Sequence, residues 1–420
     1  MQKRKMLFTE RLMYVDGQTP VNCVITVRLR GRIDHNALTS AVDKVQKKHP
    51  LLRATVETED ATAYFVIHND PPKIPLRTVQ RDNDDTWRQV VLDEWITPFD
   101  MSRKPPLRFV LIEGTDVSEL MLISHHCISD GASLLAILRE TLACLDSPTA
   151  VLEDYASFES LKDLLPSSIY EDQKVMRRAR LKARLFRIFA RFIPSKIVRP
   201  GGQYYFFYWK ATVEESSALI RRCKEQETTP YTALCVAFLR AFRDAGKSRF
   251  KDKLICPVDV RRFITSLRPD MLFNYAPTIA LNLGQDRDKP FWQAAKDLKQ
   301  SIHQKIERLS VFEEMVGSEM LHGSVDKLIS LLLRSKGTYD FAFSNVGRLD
   351  VPDTYQTFSI EEFLGVSVAV PWRNSTTLIT AYYKGQIDVT FVANDEFLPI
   401  QDGRAILQHA INGLKTAVSS

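Results

Sequence analysis

"LMLISHHCISDGAS", residues 120–133, decides how this chain is read. An apolar run ends in two adjacent histidines, and an Asp-Gly pair closes the stretch. The chain holds only eight histidines, so two side by side at the end of a buried-looking strand need a reason. With 8 His and 16 Gly in 420 residues and about 5% Asp, H-H-x-x-x-D-G arises by chance in roughly 3 of 10,000 such chains. If the strand runs through residue 126, successive side chains point to opposite faces. His125 and His126 then cannot share one metal ion; one faces a cleft and the other the interior. Asp130, at the strand-to-helix turn, can hold a ring or pair with an arginine. Gly131 allows a tight turn where a Cβ would clash. One imidazole held by its neighbours with its other nitrogen free suits a general base.

Outward from the motif, "GASLLAILRETLACLD" places Leu134, Leu135, Leu138 and Leu142 at helical spacing, so a helix opens directly behind it. Upstream, "NCVITVRLRG" reads as a strand and "DHNALTSAVDKVQKKH" as a helix capped by Asp34. "AYFVIH" and "LRFVLIEG" are further strands. After a less regular region, "YYFFYWKATV" restarts the pattern, followed by two helices, the second with Pro230 in its first turn. "DKLICPVDVRR" reads as a buried strand, and Lys384-Gly385 as a hairpin turn. The expected organisation is a lobe over 1–165, a connecting segment over 166–200 and a second lobe over 201–420. Each lobe is mixed α/β.

No run approaches 18 apolar residues, which excludes a membrane-spanning helix. The basic start is too interrupted for a signal peptide, so a cytoplasmic location is expected. Six scattered cysteines, without a CxxC pair, suggest neither zinc nor a disulfide framework. Cys127 and Ser133 are poor nucleophile candidates: Cys127 would face away from His126 on a strand, and Ser133 lacks a Gly-x-Ser-x-Gly elbow. His35, His49, His68, His303, His322 and His409 read as structural or exposed.

"HHCISDG" resembles the HHxxxDG motif of the superfamily of chloramphenicol acetyltransferase, peptide-synthetase condensation domains and stand-alone alcohol, polyketide and wax-ester acyltransferases. "HNALTSAVDKVQKKHPLLRATV", "PPLRFVLIEG", "ESSALIRRCKEQETTPYTALCVAFLRAF", "PVDVRRFI" and "FSNVGRLDVP" resemble further landmarks of it, so the likeness spans nearly the whole chain. It is closest to stand-alone enzymes related to phthiocerol dimycocerosyl transferase and alcohol acetyltransferases. The resemblance implies two chloramphenicol-acetyltransferase-like lobes, each a mixed, mostly antiparallel sheet with helices, and a tunnel between them. By position in the motif, His126 is the general base, with His125 in support. Asp130 is structural and pairs with Arg261, and Gly131 keeps the tunnel floor open. Ser344 and Asn345 are tunnel-lining candidates. The implied co-substrate is a coenzyme A or phosphopantetheine thioester, on acyl-CoA or an acyl carrier protein, and the acceptor an alcohol. No metal, no tightly bound cofactor and no acyl-enzyme are implied. The Asp-Phe-Gly-Trp-Gly sequence of plant-type members is missing, and no adenylation or carrier domain is visible, so a stand-alone enzyme is expected. An amide-forming condensation enzyme acting on an amine, or a silent binding or scaffold protein, are the alternatives. Two lobes in one chain suggest a monomer.

The net charge of +6 is concentrated: residues 174–199 carry ten Lys or Arg and no acid. Here Leu181, Leu185, Ile188, Phe189 and Phe192 form an apolar stripe, and Arg180, Arg184, Arg187 and Arg191 a basic one. Three readings fit: a connecting helix packed on the body, a dock for an acidic carrier protein or coenzyme A phosphates, or a peripheral contact with anionic membrane. Nucleic-acid binding is not expected, since no aromatic-interleaved basic surface accompanies the charge.

Overall fold

The computed structural model describes residues 1–60, 62–194, 198–199, 201–245, 250–284 and 289–420. Residues 195–197 of the basic segment and residue 200, next to the expected lobe boundary, lie outside them.

Fourteen strands form three sheets among the described residues. The strands are β1 (Gln2–Lys5), β2 (Asn22–Gly31), β3 (Ala54–Glu59), β4 (Thr62–Ile67), β5 (Leu76–Gln80), β6 (Leu107–Glu113), β7 (Val117–His125), β8 (Tyr204–Lys210), β9 (Leu254–Pro257), β10 (Thr278–Leu281), β11 (Phe341–Arg348), β12 (Phe358–Ala369), β13 (Thr377–Tyr383) and β14 (Gln386–Asn394). A small sheet, β1-β4-β3, flanks a five-stranded sheet ordered β12-β2-β7-β6-β5. The second half builds a six-stranded sheet, β10-β9-β11-β13-β14-β8. Pairing is antiparallel except at β5–β6, β11–β13 and β9–β11. The architecture is therefore mixed α/β with mostly antiparallel sheets, as the sequence implied.

β7 lies between β2 and β6 and is buried from Ser118 to His125. A strand covered on both faces needs a continuous apolar run rather than alternation, which is why "LMLIS" precedes the motif. The Gly131–Asp146 helix lays Leu134, Ile137, Leu138 and Leu142 into the same core. Asp34 caps the His35–Lys48 helix by accepting from the Ala37 N–H. Lys384 and Gly385, both at positive φ, make the β13–β14 turn.

Among the described residues, one strand of the second half joins a sheet of the first half. β12 leaves the second half and pairs antiparallel with β2, from Phe358 opposite Gly31 to Ala369 opposite Asn22. Irregular register lets β12 bend, and Gly365 sits in one such break at φ +93°. A Cβ there would lie 2.5 Å from Thr390 Oγ1 and 3.2 Å from the Tyr208 ring, so only glycine lets the two sheets approach this closely. Alternation alone could not show this exchange, because β12 buries its residues as a strand of either sheet would. The expected strand "DKLICPVDVRR" is also shorter than read: β9 stops at Pro257, and a 3₁₀ turn, Arg261–Phe263, follows.

Candidate active site

β7 ends at His125, one residue earlier than expected, and His126 opens a turn. The ladder nevertheless persists for one more bond, since the His126 N–H donates to the Val21 carbonyl at 2.7 Å. The two rings therefore still diverge. His125 is buried against Phe99, with ring centroids 6.0 Å apart. Its Nδ1 accepts from the Cys127 N–H at 3.3 Å. Burial, helped by neighbouring His126, lowers its pKa to about 3, so the ring is neutral at any working pH.

His126 keeps part of its surface accessible. Its Nδ1 lies 2.6 Å from the Ser129 carbonyl. A carbonyl only accepts, so Nδ1 carries the proton and Nε2 presents its lone pair. Asn274 Nδ2 donates to the His126 carbonyl at 2.6 Å, while the Asn274 carbonyl accepts from Thr9 Oγ1 at 2.7 Å. Segments from residues 9, 21, 129 and 274 thus fix one residue's backbone and ring. Burial pushes the imidazole below its ordinary pKa, against the opposing pull of the Ser129 carbonyl and Asp130. The ring is neutral near pH 7 and able to accept a proton.

Asp130 points away from this chemistry. It caps the Gly131–Asp146 helix by accepting from the Ser133 N–H at 2.9 Å. Arg261 grips the same carboxylate with two bonds, 2.6 Å to Oδ2 and 2.9 Å to Oδ1. Arg261 also donates to Ser133 Oγ at 2.9 Å and the Phe273 carbonyl at 3.2 Å. Burial alone would raise the Asp130 pKa; the Arg261 charge and hydrogen bonds outweigh it and hold it below the ordinary carboxylate range. This bidentate pair ties the first turn of a first-half helix to the chain just beyond β9.

Several expectations need correction here. Gly131 has no positive φ, and a Cβ would meet only Val346 Cγ2 at 3.4 Å, an ordinary contact. No tight turn demands glycine; its smallness instead sets the gap between the helix and β11. Ser344 and Asn345, both tunnel-lining candidates, lie on opposite faces of β11 and so cannot line the same space. Phe341 and Phe343 face the second-half core, while the half-buried Ala342, Ser344 and Val346 form the face that meets Gly131. Asn345 lines a separate cavity of about 370 Å³ with Tyr231, Lys299, His303 and Arg348. Its side chain accepts from the Gly347 N–H at 3.0 Å, at the β11 bulge.

Cys127 sits in the turn rather than on a strand and is fully buried, its thiol pushed up by burial. Ser133 is buried, with its hydroxyl committed to Asp130 and Arg261. Arg180, Arg184, Arg187 and Arg191 are on or just beyond the Gln173–Ala190 helix, exposed and without an ion pair among the described residues. Among the described residues, no group of three His, Cys, Asp or Glu side chains is placed to hold a metal ion.

Two contributors had no signal in the sequence. Asn274 lies in the irregular "MLFNYAP", and Ser129 acts through its backbone. A third, His49, is fully buried with Nε2 2.7 Å from Glu140. Lys48 joins it by bonding Glu140 at 2.6 Å and Asp270 at 2.8 Å. That network is a second clamp between the halves.

The likeness read from the motif holds in comparison with known proteins. Residues 1–148 match the family model described as Condensation domain. Nonribosomal peptide synthetase kk1B of Curvularia clavata is 34% identical over 120 residues, 28% of this chain and 1% of that protein. Surfactin synthase subunit 1 of Bacillus subtilis (strain 168) is 26% identical over 243 residues, 54% of this chain and 7% of that protein. The chain thus spans a small fraction of these curated relatives. Among solved structures, polyketide synthase associated protein 5 from Mycobacterium tuberculosis aligns with a TM-score of 0.69 at 16% identity, covering 99% of this chain and 98% of that one. TRI3 trichothecene 15-O-acetyltransferase from Fusarium sporotrichioides aligns with a TM-score of 0.73 at 14% identity, covering 99% and 95%. At such identity these two establish the fold.

Proposed function

Because the chain has the condensation-domain fold from end to end and its first 148 residues match that family's model, we propose that it is a stand-alone acyltransferase. It moves an acyl group from an acyl-CoA or carrier-protein thioester to an alcohol, in a tunnel between the lobes, with His126 as general base. The observation that carries this reading is the His126 ring: partly accessible, neutral, and with its tautomer fixed by the Ser129 carbonyl at 2.6 Å so that Nε2 presents a lone pair.

In the proposed reaction His126 Nε2 takes the acceptor hydroxyl proton as its oxygen attacks the thioester carbonyl. The tetrahedral intermediate collapses by breaking the C–S bond, and the imidazolium returns its proton to the departing sulfur. The products are an ester and a free thiol. The Nδ1–H···O=C bond stabilises the imidazolium while it lasts. Arg261 and Asp130 touch no reacting atom and serve as positioning residues.

Support for the alcohol acceptor comes from TRI3, named a 15-O-acetyltransferase and matched across 95% of its chain. A second reading, amide formation on an amine, is favoured by the sequence relatives, which are peptide synthetases. The two separate by product. Incubating the protein with acyl-CoA and acyl-carrier donors and paired alcohol and amine acceptors, then weighing products by mass spectrometry, should give thiol with ester. Thiol with amide selects the second reading. No thiol from either donor class leaves a binding or scaffold protein.

A further inference from the structure

The basic helix does not use the apolar stripe that its sequence advertises. Gln173–Ala190 is held on the body by Val175, Ala179, Ala183 and Ala190, a narrow face of small residues four or seven positions apart. It packs there against the Val311–Glu319 helix. Asp172 caps its start through the Lys174 and Val175 N–H groups. Beyond its end, Lys327 and Ser330 hold the Ile193 and Pro194 carbonyls. The helix is therefore anchored at both ends, with its orientation fixed.

The large apolar side chains point the other way. Leu181, Leu185, Ile188, Phe189 and Phe192 are 58%, 58%, 47%, 52% and 82% exposed. Leu181, Leu185 and Ile188 follow i, i+4 and i+7, one line along the outer surface about 10 Å long, and Phe192 lies just past the helix end. Arg177, Arg184 and Arg191 run along one side of this line, and Arg178 and Lys182 border the other. The helix contains no acid. Of the three readings, packing on the body accounts for the small residues of this helix and not for its large apolar stripe.

We propose that this face seats the protein on an anionic lipid bilayer. An apolar strip bordered on both sides by arginine matches the depth profile of a bilayer surface. Leucine and phenylalanine enter below the phosphates, and the guanidinium groups rise along their stems to meet them. An acidic carrier protein would satisfy the arginines yet leave the strip against a charged surface. No helix among the described residues is long and apolar enough to cross a membrane, so the contact is peripheral. The proposal is independent of which acyl group or acceptor is used.

The test is flotation of the full chain with vesicles of phosphatidylcholine alone, or of phosphatidylcholine mixed with phosphatidylglycerol. Two variants accompany it: Leu185→Ser with Phe189→Ser, and Arg177→Gln with Arg184→Gln and Arg191→Gln. All five positions are exposed, so circular dichroism and the melting midpoint should match wild type and certify folding. The wild type should float with the anionic vesicles and lose binding in high salt. Both variants should bind more weakly, the arginine variant by roughly 100-fold, as three neutralised charges near the surface imply. Equal binding to neutral vesicles, no binding to either, or binding retained in both variants overturns the proposal. So does capture of an acidic acyl carrier protein, or self-association abolished by the Leu185/Phe189 variant, when no vesicle binds.

Discussion

Removing the Arg261 guanidinium should expose how strongly the motif depends on its clamp. Arg261→Met leaves the Asp130 carboxylate, largely buried, with only the Ser133 N–H and hydroxyl for partners. Two bonds at 2.6 and 2.9 Å are lost, together with those Arg261 makes to Ser133 and the Phe273 carbonyl. Breaking a buried pair from one side costs about 3–5 kcal/mol, mostly because a charge stays buried without its counterion. Asp130→Asn removes that charge and retains a residue able to cap the helix. The double variant should therefore be about 2 kcal/mol less destabilised than the sum of the single variants. Urea unfolding of the four proteins measures this cycle. Additive losses, with a coupling below about 0.5 kcal/mol, would refute the clamp. Thiol release should fall in step with the single variants, since the helix start that carries the clamp follows His126 by only a few residues.

Three further outcomes are expected. His125 has a pKa of about 3 when folded against 6.5 when unfolded, so below pH 6.5 the unfolded chain binds a proton that the native state refuses. Its contribution to stability should then drop by roughly 2–3 kcal/mol between pH 6.5 and 4.5. Urea titrations should show a correspondingly smaller drop for His125→Asn; equal drops count against the buried neutral ring. Gly131→Ala should shift stability by no more than about 0.5 kcal/mol, because its Cβ only touches Val346, whereas Gly131→Leu should cut turnover by filling the gap. An alanine variant that fails to fold would return the tight-turn explanation. Ser133→Ala should cost about 1–2 kcal/mol for the lost partner of Arg261 and leave catalysis in the folded protein intact; abolished turnover at full folding would make Ser133 part of the chemistry.

The motif and the elements that carry it were legible because they are local. Strand, histidines, cap and helix lie within about 25 residues and obey period and capping rules. The partner of Asp130 was reachable only through the family likeness, since 131 residues separate it from Arg261. Asn274 and the Lys48–Glu140–Asp270 network stayed hidden for the same reason: hydrogen bonds across long sequence separations leave no periodic trace. β12 was not read as a strand, and hydrophobic alternation could in any case say only that it is buried, not which sheet buries it. The helix at 173–190 misled in a different way. The apolar stripe left packing, docking and membrane contact open, whereas close approach to a neighbouring helix favours alanine, and the leucines and phenylalanines were left outside.

The most direct measurement is thiol release by wild type and His126→Ala across pH, with the acyl donor that the wild type accepts. The neutral, Ser129-held imidazole should give a rate that falls only on an acid limb below pH 6.5, set by the lowered His126 pKa. Replacing it should cut the rate by roughly 100-fold or more and erase that limb. Release by the variant at the wild-type rate, with the same pH profile, would contradict His126 as the base.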